Sequence, residues 1–162
     1  MSALVAHFVL DQNFPWYAAA VRWPPSLRIS RLAEIEPTLT SDVDDWEVFL
    51  GLHKRGDVDG FITNDAKLLV QATEMVALQR TSLALVITDD VGHLPIRATG
   101  LVMVHLEEVA KQVDGKSHVF RLRARQLTHE LPHQHLERIA GQEKNRLSEL
   151  IGREVTKMGL SP

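Results

Sequence analysis

Residues 60–65 read Gly-Phe-Ile-Thr-Asn-Asp, a short apolar run of β-forming residues that stops on an amide and a carboxylate. A run this short, without polar alternation, is the signature of a strand covered on both faces. Leu68, Leu69, Ala72, Met75 and Val76 follow at helical spacing, so the strand leads directly into a helix. Two other stretches have the same form: Ala3 to Leu10 ends at Asp11, and Leu83 to Thr88 ends at Asp89-Asp90. Strands that alternate with helices, and lack tight hairpin turns between them, call for parallel pairing through right-handed crossovers. The expected fold class is α/β with a central, mainly parallel sheet.

Outward from these strands the reading is more local. Pro15 to Arg22 is expected to be a short helix closed by Pro24-Pro25, and Leu27 to Leu32 alternates like a half-exposed strand. Ser41, with Asp44 three residues on, marks a helix start, and Val43, Trp46 and Leu50 share a face until Gly56. Val102, Leu106, Val109, Ala110 and Val113 predict a further helix, closed by Asp114-Gly115. Beyond it, His118 to Arg125 alternates as a strand, and Pro132 to Lys157 carries a helical apolar stripe weakened by Gly141 and Gly152. The chain is therefore read as a domain over 1–115 with a C-terminal strand and helix extension over 116–162, packed on the domain or on a partner. The stripe Leu136, Ile139, Leu147, Leu150 and Ile151 is where a homodimer or another protein is expected to dock.

The 162 residues fit one domain of ordinary size, and 44% hydrophobic with 24% charged residues excludes a disordered or collagen-like chain. With no cysteine, disulfides, thiolate metal sites and thiol nucleophiles are excluded. No apolar run approaches the length of a membrane helix and no charged-then-apolar leader opens the sequence, so no membrane contact and a cytoplasmic location are expected. The net charge of −3 is unevenly spread: residues 1–115 hold 9 Lys and Arg against 16 Asp and Glu, whereas residues 116–162 hold 9 against 5. An acidic centre beside a basic strip suits a site that grips a cation and approaches phosphates.

In a parallel sheet the carboxyl ends of the strands share one edge, where ligands bind in open α/β folds. Asp11, Asp65 and Asp89-Asp90 all fall at such ends, and Asp44, Asp45 and Glu47 lie near the start of the second helix. Crowded carboxylates repel, and a hard divalent cation, Mg2+ or Mn2+, is what neutralises them. The competing role of each is helix capping, as Asp65 would do for the segment after it.

The elements FVLDQNFP, then DVDDW, then GFITNDAKLL followed by Glu74 resemble a PIN-like domain of the VapC-type toxin group. The resemblance covers roughly residues 7–90. It implies a three-layer α/β/α ribonuclease fold with a metal-dependent acidic site, RNA as substrate and an antitoxin protein as partner. Carried over by position, Asp11, Asp45 and Asp65 are the catalytic, metal-holding acids, flanked by Thr63 and Asn64, with Glu74 structural. The fourth acidic position stays open among Glu47, Asp89 and Asp90.

Around that centre, Asn13 and Thr63 are candidates to hold the ligand carboxylates by hydrogen bonds, and Lys67 to meet a phosphate. Arg121, Arg123 and Arg125 lie on one predicted strand face, suited to an RNA backbone or to charge protection of an edge strand. His129, His133 and His135 have metal-like spacing but read as solvated loop residues. A haloacid-dehalogenase-like phosphatase needs a second Asp where Asn13 stands, and a response-regulator receiver needs paired acids after its first strand, where Gln12 and Asn13 follow Asp11. The remaining rival is a non-enzymatic PIN-like module that binds RNA or protein.

Overall fold

A computed structural model of the chain describes residues 5–89, 91, 94–124 and 126–161. Its strands are β1 (Ala6–Leu10), β2 (Leu27–Arg31), β3 (Gly60–Thr63), β4 (Ala84–Thr88), β5 (His118–Arg123) and β6 (Gln126–Glu130). They form one sheet in the order β2-β1-β3-β4-β5-β6, parallel throughout except that β6 runs antiparallel to β5. Every residue of β3 and β4 is buried, as their unbroken apolar runs require, whereas β2 at the edge is only partly covered, with Leu27 and Ser30 buried and Arg28 and Arg31 exposed. Gly60 is set by a close approach: a Cβ there would lie 2.6 Å from the Phe8 ring and 2.7 Å from the Ala84 carbonyl oxygen.

The helices are α1 (Tyr17–Ala20), α2 (Leu32–Ile35), α3 (Asp45–Arg55), α4 (Ala72–Gln79), α5 (Pro95–Gln112), α6 (Pro132–Glu143) and α7 (Leu147–Lys157). Alternate strand residues face opposite layers. Val9, Phe61 and Leu85 meet Phe49 and Leu52 of α3, Met75 and Leu78 of α4, Leu136 of α6 and Leu150 of α7. On the other face Phe8, Ile62, Val86 and Phe120 meet Ala18 of α1 and Val102 and Leu106 of α5. The result is a three-layer α/β/α arrangement. Each fully buried Phe or Leu contributes about 1.5–3 kcal/mol, so the two layers hold the strand ends in fixed register.

Several local readings are corrected. Pro15 to Arg22 yields only the one turn of α1, and the second predicted helix starts after Asp44, not at Ser41. The strand expected to run on to Arg125 ends at Arg123 and turns back as β6, so β5 is an internal strand rather than an edge. His129 lies on β6 and His135 is buried on α6, so neither is a solvated loop residue. The last helix is divided at Lys144, which takes a left-handed conformation (φ 55°), and not at either glycine. Most of its stripe is internal: Leu136, Ile139 and Leu150 are buried with the α4 residues, and Leu147 and Ile151 pack against that cluster. The segment after residue 115 is built into the same sheet, since β5 pairs with β4 from Ala84↔His118 to Thr88↔Leu122. No helix among the described residues is long and apolar enough to cross a membrane.

Candidate active site

β1 and β3 are neighbours in the sheet, yet the chain leaves β1 toward β2 on one side and leaves β3 toward β4 on the other. This reversal opens a crevice at the carboxyl ends of the two strands. Asp11 follows β1 directly, its N–H donating to the Ile62 carbonyl at 2.8 Å. Thr63, the buried last residue of β3, donates its hydroxyl to Asp11 Oδ2 at 2.9 Å. The same hydroxyl oxygen accepts the Asp65 N–H at 3.1 Å, and Asp65 Oδ1 accepts the Lys67 N–H at 2.9 Å to open the 3-10 turn Ala66–Val70. Asp65 thus both caps that turn and faces the crevice.

Asp45, the first residue of α3, completes the arrangement. Asp11, Asp45 and Asp65 line one cleft of about 510 Å³, with Asn13, Asn64 and Lys67 also on its walls. Asn13 reaches Asp11 through its backbone: its N–H lies 3.4 Å from Asp11 Oδ1. Burial raises the Asp11 carboxyl above its usual range, against the lowering effect of the Thr63 hydroxyl and the Asn13 and Gln12 N–H groups. Asp45 is pushed up to about 6, first by burial and then by the charges of Asp11, Glu74, Asp65 and Asp44. Glu74, in the first turn of α4, is raised by burial too. Carboxylates that hold one another's protons in this way are short of positive charge, and hard oxygen donors suit Mg2+ or Mn2+. On donor chemistry the cleft fits such an ion. Among the described residues no group of three or more acidic or histidine side chains is already arranged to hold a metal.

The other candidates lie elsewhere. Glu47 is engaged in capping α3, its Oε2 accepting the Asp44 N–H at 3.0 Å. Asp89 is buried at the end of β4 and clamped by two arginines: Arg123 Nε and Nη2 each lie 2.9 Å from its Oδ2, and Arg121 Nη2 meets the same oxygen. Two of the basic residues assigned to RNA are thereby directed at Asp89. Asp90 and Arg125 lie outside the described residues. The Glu47 cap was readable in the Asp44-x-x-Glu47 pattern, which is a helix-start motif. The clamp on Asp89 carries no local signal, because it joins strand ends more than thirty residues apart.

No protein-family model, no curated protein and no solved structure matches this chain.

Proposed function

We propose that the chain is a metal-dependent ribonuclease of PIN-like type, acting at the cleft of Asp11, Asp45 and Asp65. The observation that carries this reading is the meeting of three carboxylates from β1, α3 and the end of β3 in one cleft, with Asp45 pushed up to about 6. Mg2+ or Mn2+ held by these acids would polarise a phosphodiester and lower the pKa of a bound water. The chain's own residues do the rest. Thr63 and the Asn13 N–H fix the Asp11 carboxylate, Lys67 on the cleft wall offers a cation to a phosphate, and Asn64 offers an amide for hydrogen bonding. The resemblance extends the proposal to the toxin half of a toxin–antitoxin pair, which growth arrest on expression, relieved by Asp11→Asn, would test.

The test is cleavage of a mixed RNA panel with Mn2+ or Mg2+ against EDTA, in wild type, Asp11→Asn and Asp65→Asn, beside the metal-induced shift in melting temperature. Metal-dependent cleavage that falls by orders of magnitude in both variants is the expected result. Cleavage retained in Asp65→Asn would leave Asp65 as a cap, since Asn caps nearly as well as Asp. A second reading, a binding module without cleavage, is favoured by the diversion of Asp89 and Glu47 to structural bonds. A wild type with neither cleavage nor a metal shift would select it.

A further inference from the structure

The outward face of α5 carries an apolar patch flanked by the charged residues Arg97, Glu107, Glu108 and Lys111. Ile96, Met103 and Val104 are 83%, 53% and 72% exposed, while Ala98, Val102, Leu106 and Val109 on the opposite side are buried on the sheet. At about 100° per residue, Ile96, Arg97, Gly100, Met103, Val104, Glu107, Glu108 and Lys111 fall within an arc of about 140°, with Gly100 near its middle and the acids and Lys111 toward the C-terminal end. Gly100 leaves the backbone bare there, and a Cβ at that position would stand in open space. Grooves run along both flanks of the helix, one of about 540 Å³ beside Arg97 and Val104 and one of about 120 Å³ between Met103 and Trp23.

We propose that this face pairs with a second copy of the chain through two antiparallel α5 helices. The order of charges along the helix selects that occupant. Arg97 and Glu108 stand on the same flank of the exposed face, and the midpoint between them falls between Val102 and Met103. The midpoint between Gly100 and Val104 falls at Val102. A single two-fold axis near Val102 therefore sets Arg97 opposite Glu108 of the second copy, twice over, and lays each Val104 over the bare backbone at the other copy's Gly100. A parallel pairing would turn the Arg97 and Glu108 flank of one copy to the opposite side of the other, and these pairs would not form. Within its own helix Glu108 meets Lys111 at 3.6 Å and the Gln112 amide at 3.5 Å; the ion pair is well exposed, so these contacts give way at little cost. Glu107 and Glu108 on the face argue against an anionic membrane surface as the occupant. This assembly does not depend on the ribonuclease reading, and it replaces the C-terminal stripe, most of which the fold covers itself.

Sedimentation velocity over a micromolar concentration series tests the pairing, with circular dichroism melts to verify that each variant is folded. The wild type should sediment as a dimer of the 18.2 kDa chain. Val104→Glu should weaken the dimer at least a hundredfold. Arg97→Glu and Glu108→Arg should each weaken it about tenfold, and the double variant Arg97→Glu/Glu108→Arg should return to within threefold of wild type, because exchanging both charges restores each pair. A wild type that stays monomeric throughout would overturn the proposal. So would a dimer indifferent to these changes, or single-variant losses that the double exchange fails to restore.

Discussion

Thr63 Oγ1 stands between two aspartates of different origin, donating to Asp11 Oδ2 at 2.9 Å and accepting the Asp65 N–H at 3.1 Å. One buried hydroxyl thus sets the spacing of two cleft acids. Thr63→Val keeps the shape and removes both bonds, leaving the half-buried Asp11 carboxylate without its side-chain donor. Urea unfolding should show a loss of about 1–3 kcal/mol, and the Mn2+-induced rise in melting temperature should shrink. An unchanged metal shift would separate Thr63 from the cleft's cation affinity.

Asp45 gives the cleft a pH dependence of defined sign. Its folded-state carboxyl is pushed up from the usual 3.8 to about 6, so its contribution to stability is fully present below the lower value and is lost as pH rises through the upper one. In EDTA the wild type should melt at lower temperature at pH 7 than at pH 5. Asp45→Asn should reduce that slope and melt higher than wild type at pH 7. Divalent cations act in the opposite sense, because they compete with the proton and bind best above about pH 6. Melting curves from pH 5 to 7.5, with and without Mn2+, read both effects.

Asp89 separates structural from metal-holding acids. Removing its carboxylate by Asp89→Asn leaves Arg121 and Arg123, both partly buried, facing an uncharged amide. The expected cost is about 2 kcal/mol by chemical denaturation, less than for a fully buried pair because both arginines retain solvent contact. The Mn2+ shift should survive. Loss of that shift with little change in apo stability would return Asp89 to the ligand set.

Gly60→Ala probes the seam on which the cleft is built. The added methyl meets the Phe8 ring and the Ala84 carbonyl oxygen closer than van der Waals contact, and backbone cannot step aside as a flexible side chain would. A destabilisation of about 1–3 kcal/mol is expected from denaturant titration, with a weaker metal response because β1 and β3 are forced apart.

What was legible in the sequence followed from burial. Phe61-Ile62-Thr63 and Leu85-Val86-Ile87 are covered on both faces, so their strands and the acids ending them could be read from composition alone. β6 could not be read, because the sequence between Arg123 and Gln126 holds no Gly, Pro or Asn, and Gln126 to Glu130 holds a single apolar residue, Leu127. The division of the last helix was also hidden, since Lys144 takes the left-handed conformation that glycine ordinarily signals. Within the cleft the types and order of the acids were legible. The engagement of Asp89 by Arg121 and Arg123 depends on neighbouring strands brought together from distant sequence, which periodicity does not encode.

The neighbouring of β1 and β3 also orders assembly in time. Asp11 and Thr63 are 52 positions apart, a loop whose closure costs roughly 3–4 kcal/mol in chain entropy, whereas β1 meets β2 over a much shorter span. During synthesis β1 can pair with β2 first, and its other edge stays bare until β3 emerges and slots in. The mutual repulsion of Asp11 and Asp65 is therefore felt only in that insertion step. A nascent chain halted before Gly60 carries an open strand edge and no cleft at all.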